Sequence, residues 1–503
     1  MSSTPSPRTG WASLKDLTRY QWFVFIVCCL AWDMDCMDQQ LFALARRPAM
    51  VDLVPKVTPD DPRFEARKGE LTAKASQEGK LPPSDPDVVK ALQDADIGEQ
   101  AGYATAFFLI GWAIGGIAFG VMGDRVGRVK TLMLTILLYA VFTGLSALSQ
   151  APWDFHLYRL LTGLGVGGVF AASVTLLAET VPDHARPFVI GLFQASSVIG
   201  NCTAALLSML FGQLVYEGVF EGATVVGLPV TPWRLMFVVG ILPALLVVVI
   251  QARLKEPDKW RQAMAAGGVK KAGSYRELLG DPRWRSRAIF GLLLALSGVI
   301  GLWGIGFFSY DLQQYVMQPI YAQEARDAGK VGKEAAAYIG WQTTMWSGVT
   351  SLVQNVSAFF GIFAFSWAAS LFGRKPAFAV AFVLAAGSTA LVFATLSERW
   401  HIFVLVPIMG FCLLSLFGGY AIYFPELFPT RLRSTGTSFC YNVGRLLSAP
   451  GPAMLGFLTS SVFAGYAHPE PLRYAGIAMC SIFLLGLVAL PFLPETKGKP
   501  LPE

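Results

Sequence analysis

Twelve stretches of about 20 mostly apolar residues run along this chain, each long enough to cross a bilayer as a helix. They lie approximately at 20–45, 99–122, 129–150, 153–179, 186–215, 232–252, 287–315, 338–368, 375–397, 400–426, 432–463 and 472–494. The expected fold class is therefore an all-α integral membrane protein with twelve transmembrane helices. Composition agrees: 15% of the 503 residues are charged and 54% are hydrophobic, whereas soluble domains carry about 25% charged residues. The first ten residues are polar and lack the short apolar core of a cleavable signal peptide.

Two segments between spans are long and polar. Residues 46–98 follow the first span and mix charges of both signs with proline, with a short helix expected near 86–96. Residues 253–286 are rich in Lys and Arg and fall between spans six and seven. The chain thus divides into an N-terminal tail 1–19, a six-helix half 20–252, a linker 253–286, a second six-helix half 287–494 and a C-terminal tail 495–503. Lys and Arg favour the cytoplasmic side of short loops, and their distribution predicts both termini on that side, with loop 46–98 outside.

The halves are related by sequence. "ETVPDHAR" begins at 179 and "ELFPTRLR" at 426, both Glu-x-x-Pro-x-x-x-Arg. "VGRVK" at 126 has its counterpart in "FGRKP" at 372, and Gly163 meets Gly410 at the same spacing. A duplicated six-helix unit follows. Transporters built from such repeats place their substrate near the midplane between the halves and alternate access by rocking them.

These motifs carry a specific resemblance. "GVMGDRVGRVK" (120–130) resembles the signature loop of the major facilitator superfamily, and "RLLTGLGVGG" (159–168) its fourth-span motif. "PELFPTRLRSTG" (425–436) and "LPETKGKP" (493–500) are similar to its sugar-porter-like branch, which includes proton symporters of the aromatic-acid and sialate type. The resemblance implies a cytoplasmic gate of ion pairs drawn from Asp124, Arg125, Arg128, Glu179 and Arg186 in the first half and Arg374, Glu426 and Arg433 in the second. Ser370 and Leu371 stand where the second copy would carry Asp-Arg, so that half is expected to latch less firmly. Gly111, Gly115, Gly116, Gly120, Gly163 and Gly167 have small-xxx-small spacing, which is read as close helix packing.

The first span holds three acids within "AWDMDCMDQQLF" (31–42). Each costs about 2.5–3.5 kcal/mol at the bilayer centre on insertion scales. Asp35 and Asp38, three apart, share a helix face, while Asp33 points elsewhere. A buried carboxyl avoids ionisation by holding a proton, and a like neighbour reinforces this. Such a group can load a proton on one side and release it on the other. The resemblance pairs a first-span Asp with the fourth-span Arg, here Arg159, and makes Asp38 the carrier and Asp35 its partner or a substrate-side acid. An intramembrane aspartyl protease needs two aspartates on separate helices, which these are not.

Arg445 is the second intramembrane cation. It lies 14 residues past Arg431, about 21 Å along a helix, beside Tyr441 and Asn442. Its planar fork suits a carboxylate, and the alternative is a structural pair with Asp311 or a backbone carbonyl. Sugar porters carry amides in span seven, where this chain has Leu294, Ala295 and Ile300. Gln194 does match a sugar-site glutamine. Trp303, Phe307, Tyr310, Tyr420 and Tyr423 offer apolar faces with polar tips.

The reading is a cell-membrane transporter that takes up a small organic anion with protons. A mono- or aromatic carboxylate or an acidic sugar fits, and a sugar or polyol porter is the alternative. The seven cysteines lie in apolar stretches and the four histidines near span ends, without metal spacing. No cofactor, metal or nucleic-acid partner is expected, nor is an enzymatic activity, and the chain is expected to work as a monomer in the lipid bilayer.

Overall fold

The computed structural model describes residues 10–77, 82–182, 185–258, 261–262, 274–429, 432–463, 465–466 and 469–497, apart from a few side chains within those ranges. The first span is α1 (Arg19–Leu53), opened by a capping box in which Thr18 Oγ1 accepts from Gln21 N and Gln21 Oε1 accepts from Thr18 N. A short α2 (Phe64–Gln77) precedes α3 (Asp85–Val126). The helix expected at 86–96 is thus the first turns of a 42-residue helix. Phe64, Val88 and Leu92 bury one another and pin α2 to it.

The first half continues with α4 (Arg128–Ser146), α5 (Pro152–Thr180) and α6 (Arg186–Tyr216). A two-residue hairpin follows, turning at Val226 and Gly227, both at positive φ. Its sixth span is α7 (Pro232–Val239) and α8 (Pro243–Arg253). After α9 (Tyr275–Gly280), the second half opens with α10 (Pro282–Val299), which runs through a π-helical stretch, Ile300–Gly306, into α11 (Phe308–Asp327). Then come α12 (Gly332–Phe372), α13 (Arg374–Thr395) and α14 (Arg399–Leu427).

Among the described residues eleven helical stretches are long and apolar enough to cross a membrane, against the twelve expected. The remaining region, 433–462, is helical in pieces: α15 (Arg433–Ser438), a π turn at Phe439–Val443, α16 (Gly444–Ser448), α17 (Pro450–Phe457) and a second π turn at Leu458–Val462. Pro450 and Pro452 lack the N–H that a continuous ladder needs. α18 (Glu470–Met479) and α19 (Ile482–Ala489) complete the half.

The repeat seen in sequence reappears as packing. α3 lies on α5 as α12 lies on α14. A Cβ on Gly163 would sit 2.2 Å from Phe108 O, and one on Gly410 would sit 2.4 Å from Gln354 O. Gly111 and Gly115 face Leu160 O and Leu164 O at 2.0 Å in the same way. No side chain fits at such separations, so these glycines set the helix spacing. Large apolar residues such as Leu206, Phe360 and Trp367 face outward, as a lipid-facing surface requires. The halves meet along two seams, α6 against α12 and α3 against the broken segment α15–α17.

Candidate functional site

Asp38 and Arg159, two buried charges of the first half, gather against α4. Asp38 is fully buried, and its Oδ1 accepts from Thr143 Oγ1 at 2.6 Å. Its Oδ2 has no hydrogen-bond partner among the described residues. Arg159, also fully buried, donates to Ser146 Oγ from Nη2 at 2.6 Å and from Nε at 3.2 Å. Its guanidinium lies over the Phe237 ring at 4.6 Å, with Phe42 and Phe155 beyond, and its Nη1 is unpartnered. The two charges feel each other electrostatically but form no direct ion pair. Thr143 and Ser146 stand between them on one face of α4. Tyr139, one turn earlier, is buried with an unpartnered hydroxyl and lies within electrostatic reach of both Asp35 and Asp38.

Arg445 is held differently. The π turn before it presents the Tyr441 ring, whose centroid is 3.8 Å from the Arg445 Cζ, and the Trp112 ring of α3 lies at 4.0 Å on another side. Each such cation–π contact contributes about 0.5–2 kcal/mol. Its Nη1 donates to Asn442 Oδ1 at 3.0 Å, while its buried Nε has no hydrogen-bond partner among the described residues. Asn442 packs against Gly116 so closely that a Cβ there would lie 2.4 Å from its amide. Asp311 is not its partner: that carboxylate bonds Arg46 at 2.8 Å. The acid that feels Arg445 is Asp35, which is buried, accepts from Gln39 Nε2 at 3.0 Å and leaves Oδ1 unbonded. Asp33 faces the opposite way, toward Ser196 and Gly200 of α6.

The predicted aromatic lining separates into two groups. Trp303 packs on Trp112 with ring centroids 5.6 Å apart, Phe307 on Trp303 at 4.6 Å and Tyr310 on Phe307 at 6.2 Å. These three continue the wall that begins at Arg445. Tyr420 also reaches it, its ring centroid 6.2 Å from that of Tyr441, whereas Tyr423 packs elsewhere. Their hydroxyls donate to Leu294 O and Pro494 O within their own half, and their rings pack on Phe378. Gln194 sits on α6 with its Oε1 buried and unpartnered.

The gate residues lie where α1 and α10 begin. Arg128 donates Nη2 to Glu179 at 2.9 Å, and Arg374 engages Glu426 with both Nη2, at 2.9 Å, and Nε, at 3.1 Å. Each half thus carries one Arg–Glu pair, and that of the second half forms without an Asp-Arg in its loop. Arg125 is exposed. The side chains of Asp124, Arg186 and Arg433 lie outside the described residues. Two carboxylates that sequence reasoning did not single out complete the arrangement. Glu256 accepts from the backbone N of Arg128 and Val129, and Glu495 accepts from those of Arg374 and Lys375. Each caps the helix that begins after a positive-φ glycine, Gly127 or Gly373. Burial opposes the charge of Glu495, but the N–H groups of Arg374, Lys375, Lys497 and Thr496 outweigh it and hold its carboxyl below the ordinary value. The signal available was the shared Glu-Pro and Glu-Thr after the last helix of each half.

At the opposite end of the bundle, Arg46 of α1 reaches across to Asp311 of α11, with Thr105 on Nη1 at 3.1 Å and the Phe308 ring at 4.5 Å. This buried ion pair joins the two halves. Its sequence signal was "ARR" at the end of a span, read as a boundary when α1 in fact continues to Leu53.

A repeat of two helical halves, with eleven membrane-length apolar helical stretches among the described residues and buried charges between the halves, is the plan of a solute transporter. The profile of the sugar (and other) transporter family matches residues 75–271. A Haemophilus influenzae protein provisionally named as a metabolite transport protein is 30% identical over 408 residues, 80% of this chain and 88% of that one. The cis,cis-muconate transport protein of Acinetobacter baylyi is 29% identical over 406 residues, covering 80% and 87%. The Escherichia coli xylose transporter, in a partially occluded inward-open state, superposes with a TM-score of 0.59 at 17% identity, covering 96% of this chain and all of that one. The chain belongs to the sugar-porter-like branch of the major facilitator superfamily. It is a multi-pass transporter of the cell membrane, not an enzyme.

Proposed function

We propose that this transporter takes up a small organic anion, a mono- or aromatic carboxylate or an acidic sugar, by proton-coupled symport. Both chain ends then face the cytoplasm, and the chain works as a monomer without a cofactor. The observation that carries this reading is Arg445: a buried cation at the seam between the halves, flanked by two aromatic faces and bonded to one neutral amide. Buried arginines are costly unless they act, and this one has donors to spare for a carboxylate. The muconate relative, named for an organic acid, supports the same class.

The two acids then have separate tasks. Asp35 answers to Arg445, and a substrate carboxylate competes with it for that cation. Asp35 takes a proton when displaced, so substrate and proton enter together. Asp38, opposite Arg159, carries the proton across, because its free Oδ2 lies on the only part of its carboxyl not held by Thr143.

The test uses proteoliposomes with an internal pH dye, to which carboxylates, acidic sugars and neutral sugars are added in turn. Lumenal acidification with an acid is expected, and Asp38→Asn is expected to abolish accumulation while leaving counterflow exchange. Silence with every acid, with uptake of a neutral sugar, would return the protein to the sugar or polyol reading and make Arg445 structural.

A further inference from the structure

Asp35 and Asp38 share a face of α1 yet make no hydrogen bond to each other among the described residues. Each spends one oxygen and keeps the other. Gln39 Nε2 donates to Asp35 Oδ2 and Thr143 Oγ1 donates to Asp38 Oδ1, while Asp35 Oδ1 and Asp38 Oδ2 are buried and unbonded. A third oxygen is in the same condition. Tyr139 of α4 is fully buried, and its hydroxyl has no hydrogen-bond partner among the described residues. Gln40 does not serve the acids: its Nε2 is turned across the seam, 2.8 Å from Ser351 Oγ and 3.4 Å from the Tyr310 hydroxyl.

Helix direction brings Tyr139 to the depth of Asp35. α1 and α4 begin at the same end of the bundle: Tyr20, in the first turn of α1, accepts from Lys255 N at 3.0 Å, and the adjacent Glu256 caps α4 by accepting from Arg128 N at 2.8 Å. The two helices therefore run the same way, and the 2.6 Å bond from Thr143 to Asp38 fixes their level. Below that bond, Asp35 lies three residues earlier on α1, about 4.5 Å, and Tyr139 four residues earlier on α4, about 6 Å. Residues four apart share a helix face, so Tyr139 is turned to α1 as Thr143 is. α5 holds this turn of α4 in place, since a Cβ on Gly165 would sit 2.5 Å from Tyr139 N. The Tyr139 hydroxyl lies within electrostatic reach of both acids. A buried hydroxyl left unbonded costs about 1–3 kcal/mol, and phenylalanine would fill the same space without that cost.

We infer that Tyr139 relays the proton between Asp35 and Asp38. The inference rests on the proton-coupled reading and names the group that performs its internal step. The O–H bond of protonated Asp35 breaks at Oδ1 as its proton passes to the Tyr139 oxygen. The original Tyr139 O–H bond breaks in turn, and that proton forms the new O–H bond at Asp38 Oδ2. Asp35 ends as the carboxylate and Asp38 as the acid, and Tyr139 is neutral before and after. A phenol suits this step because its one oxygen both accepts and donates. All three groups belong to the first half. Rocking of the halves therefore rearranges the seam at Arg445 without parting the relay.

The experiment follows lumenal acidification of proteoliposomes given lactate, 4-hydroxybenzoate or glucuronate, with the rate in protein-free vesicles subtracted. Counterflow exchange of the same acid is measured beside it. Tyr139→Phe removes only the unpartnered hydroxyl. Acidification is expected to slow by at least about tenfold, a floor beneath the roughly 100-fold of a well-placed proton-transfer group, while counterflow stays within about twofold of wild type. The retained counterflow shows that the variant is folded and binds its acid. Equal acidification by wild type and Tyr139→Phe overturns the relay and leaves the proton-coupled reading standing. Equal loss of acidification and counterflow also overturns it, because the hydroxyl then serves binding or folding. Acidification of wild-type vesicles by none of the three acids overturns the proton-coupled reading and the relay with it.

Discussion

Arg159 and Arg445 are both buried inside the bundle, yet their surroundings differ in kind. Arg159 is tied to its own half: Ser146 takes two of its donors and Phe237 covers it. Arg445 is tied across the seam, its flat face against Trp112 of the other half, with one hydrogen bond to an amide three residues away. A cation whose donors are spent within one rigid unit can set the charge of a neighbour but cannot follow a substrate. A cation resting on aromatic faces keeps its donors for a guest and changes its environment when the halves move. Under the proposed function the first surroundings suit proton control and the second suit substrate recognition.

The largest effect should come from Arg159→Gln. Without the cation, Asp38 has only the Thr143 hydroxyl to steady a negative charge, and a buried carboxyl with so little support keeps its proton. Proton-driven accumulation should fall by about 100-fold or more, the scale of a lost buried charge partner of about 3–5 kcal/mol. Counterflow exchange of substrate should persist. If accumulation survives with its pH dependence intact, the two arginines do not divide the work in this way.

Much of this was legible in the chain. The spans, the repeat, Asp35, Asp38, Arg159 and Arg445 stand out because charge inside an apolar run is costly and therefore conspicuous. What was hidden shares one physical cause. Thr143, Ser146, Tyr139 and Trp112 are ordinary residues in ordinary spans, and only the angle at which α4 and α3 meet α1 and α16 makes them neighbours of the charges. Gln40 stood next to the quoted acids, but its partners lie 270 and 311 residues away. The hydroxyl partners of Tyr420 and Tyr423 were hidden for the same reason: the carbonyls that claim them, Leu294 O and Pro494 O, come from distant turns. The Arg46–Asp311 pair was lost with the end of α1, because two adjacent arginines resemble a membrane boundary.

Arg445→Lys should be the next largest. Lysine keeps the charge but loses the planar fork and the stacking on Trp112 and Tyr441. KM for carboxylates is expected to rise about 10- to 30-fold, consistent with losing about 1.5–2 kcal/mol of charge-assisted bonding, while neutral analogues change little. The pH profile should keep its shape, in contrast to Arg159→Gln. Equal losses for acids and neutral analogues would remove Arg445 from recognition.

The smallest effect sharpens the comparison most, because it leaves both arginines in place. Trp112→Leu removes the ring that Arg445 shares with the other half, and Phe237→Leu removes the ring over Arg159. A cation–π contact contributes about 0.5–2 kcal/mol, so each change is worth a few-fold in the property its arginine serves. Trp112→Leu should raise KM for a carboxylate about three- to tenfold and leave the pH at half-maximal uptake unmoved. Phe237→Leu should shift that pH and leave KM within about twofold. The readouts are crossed, so a general loosening of packing cannot imitate them: it would move both in both variants. An arginine that merely fills space would yield neither pattern, and only separate tasks for the two cations produce one shift from each ring.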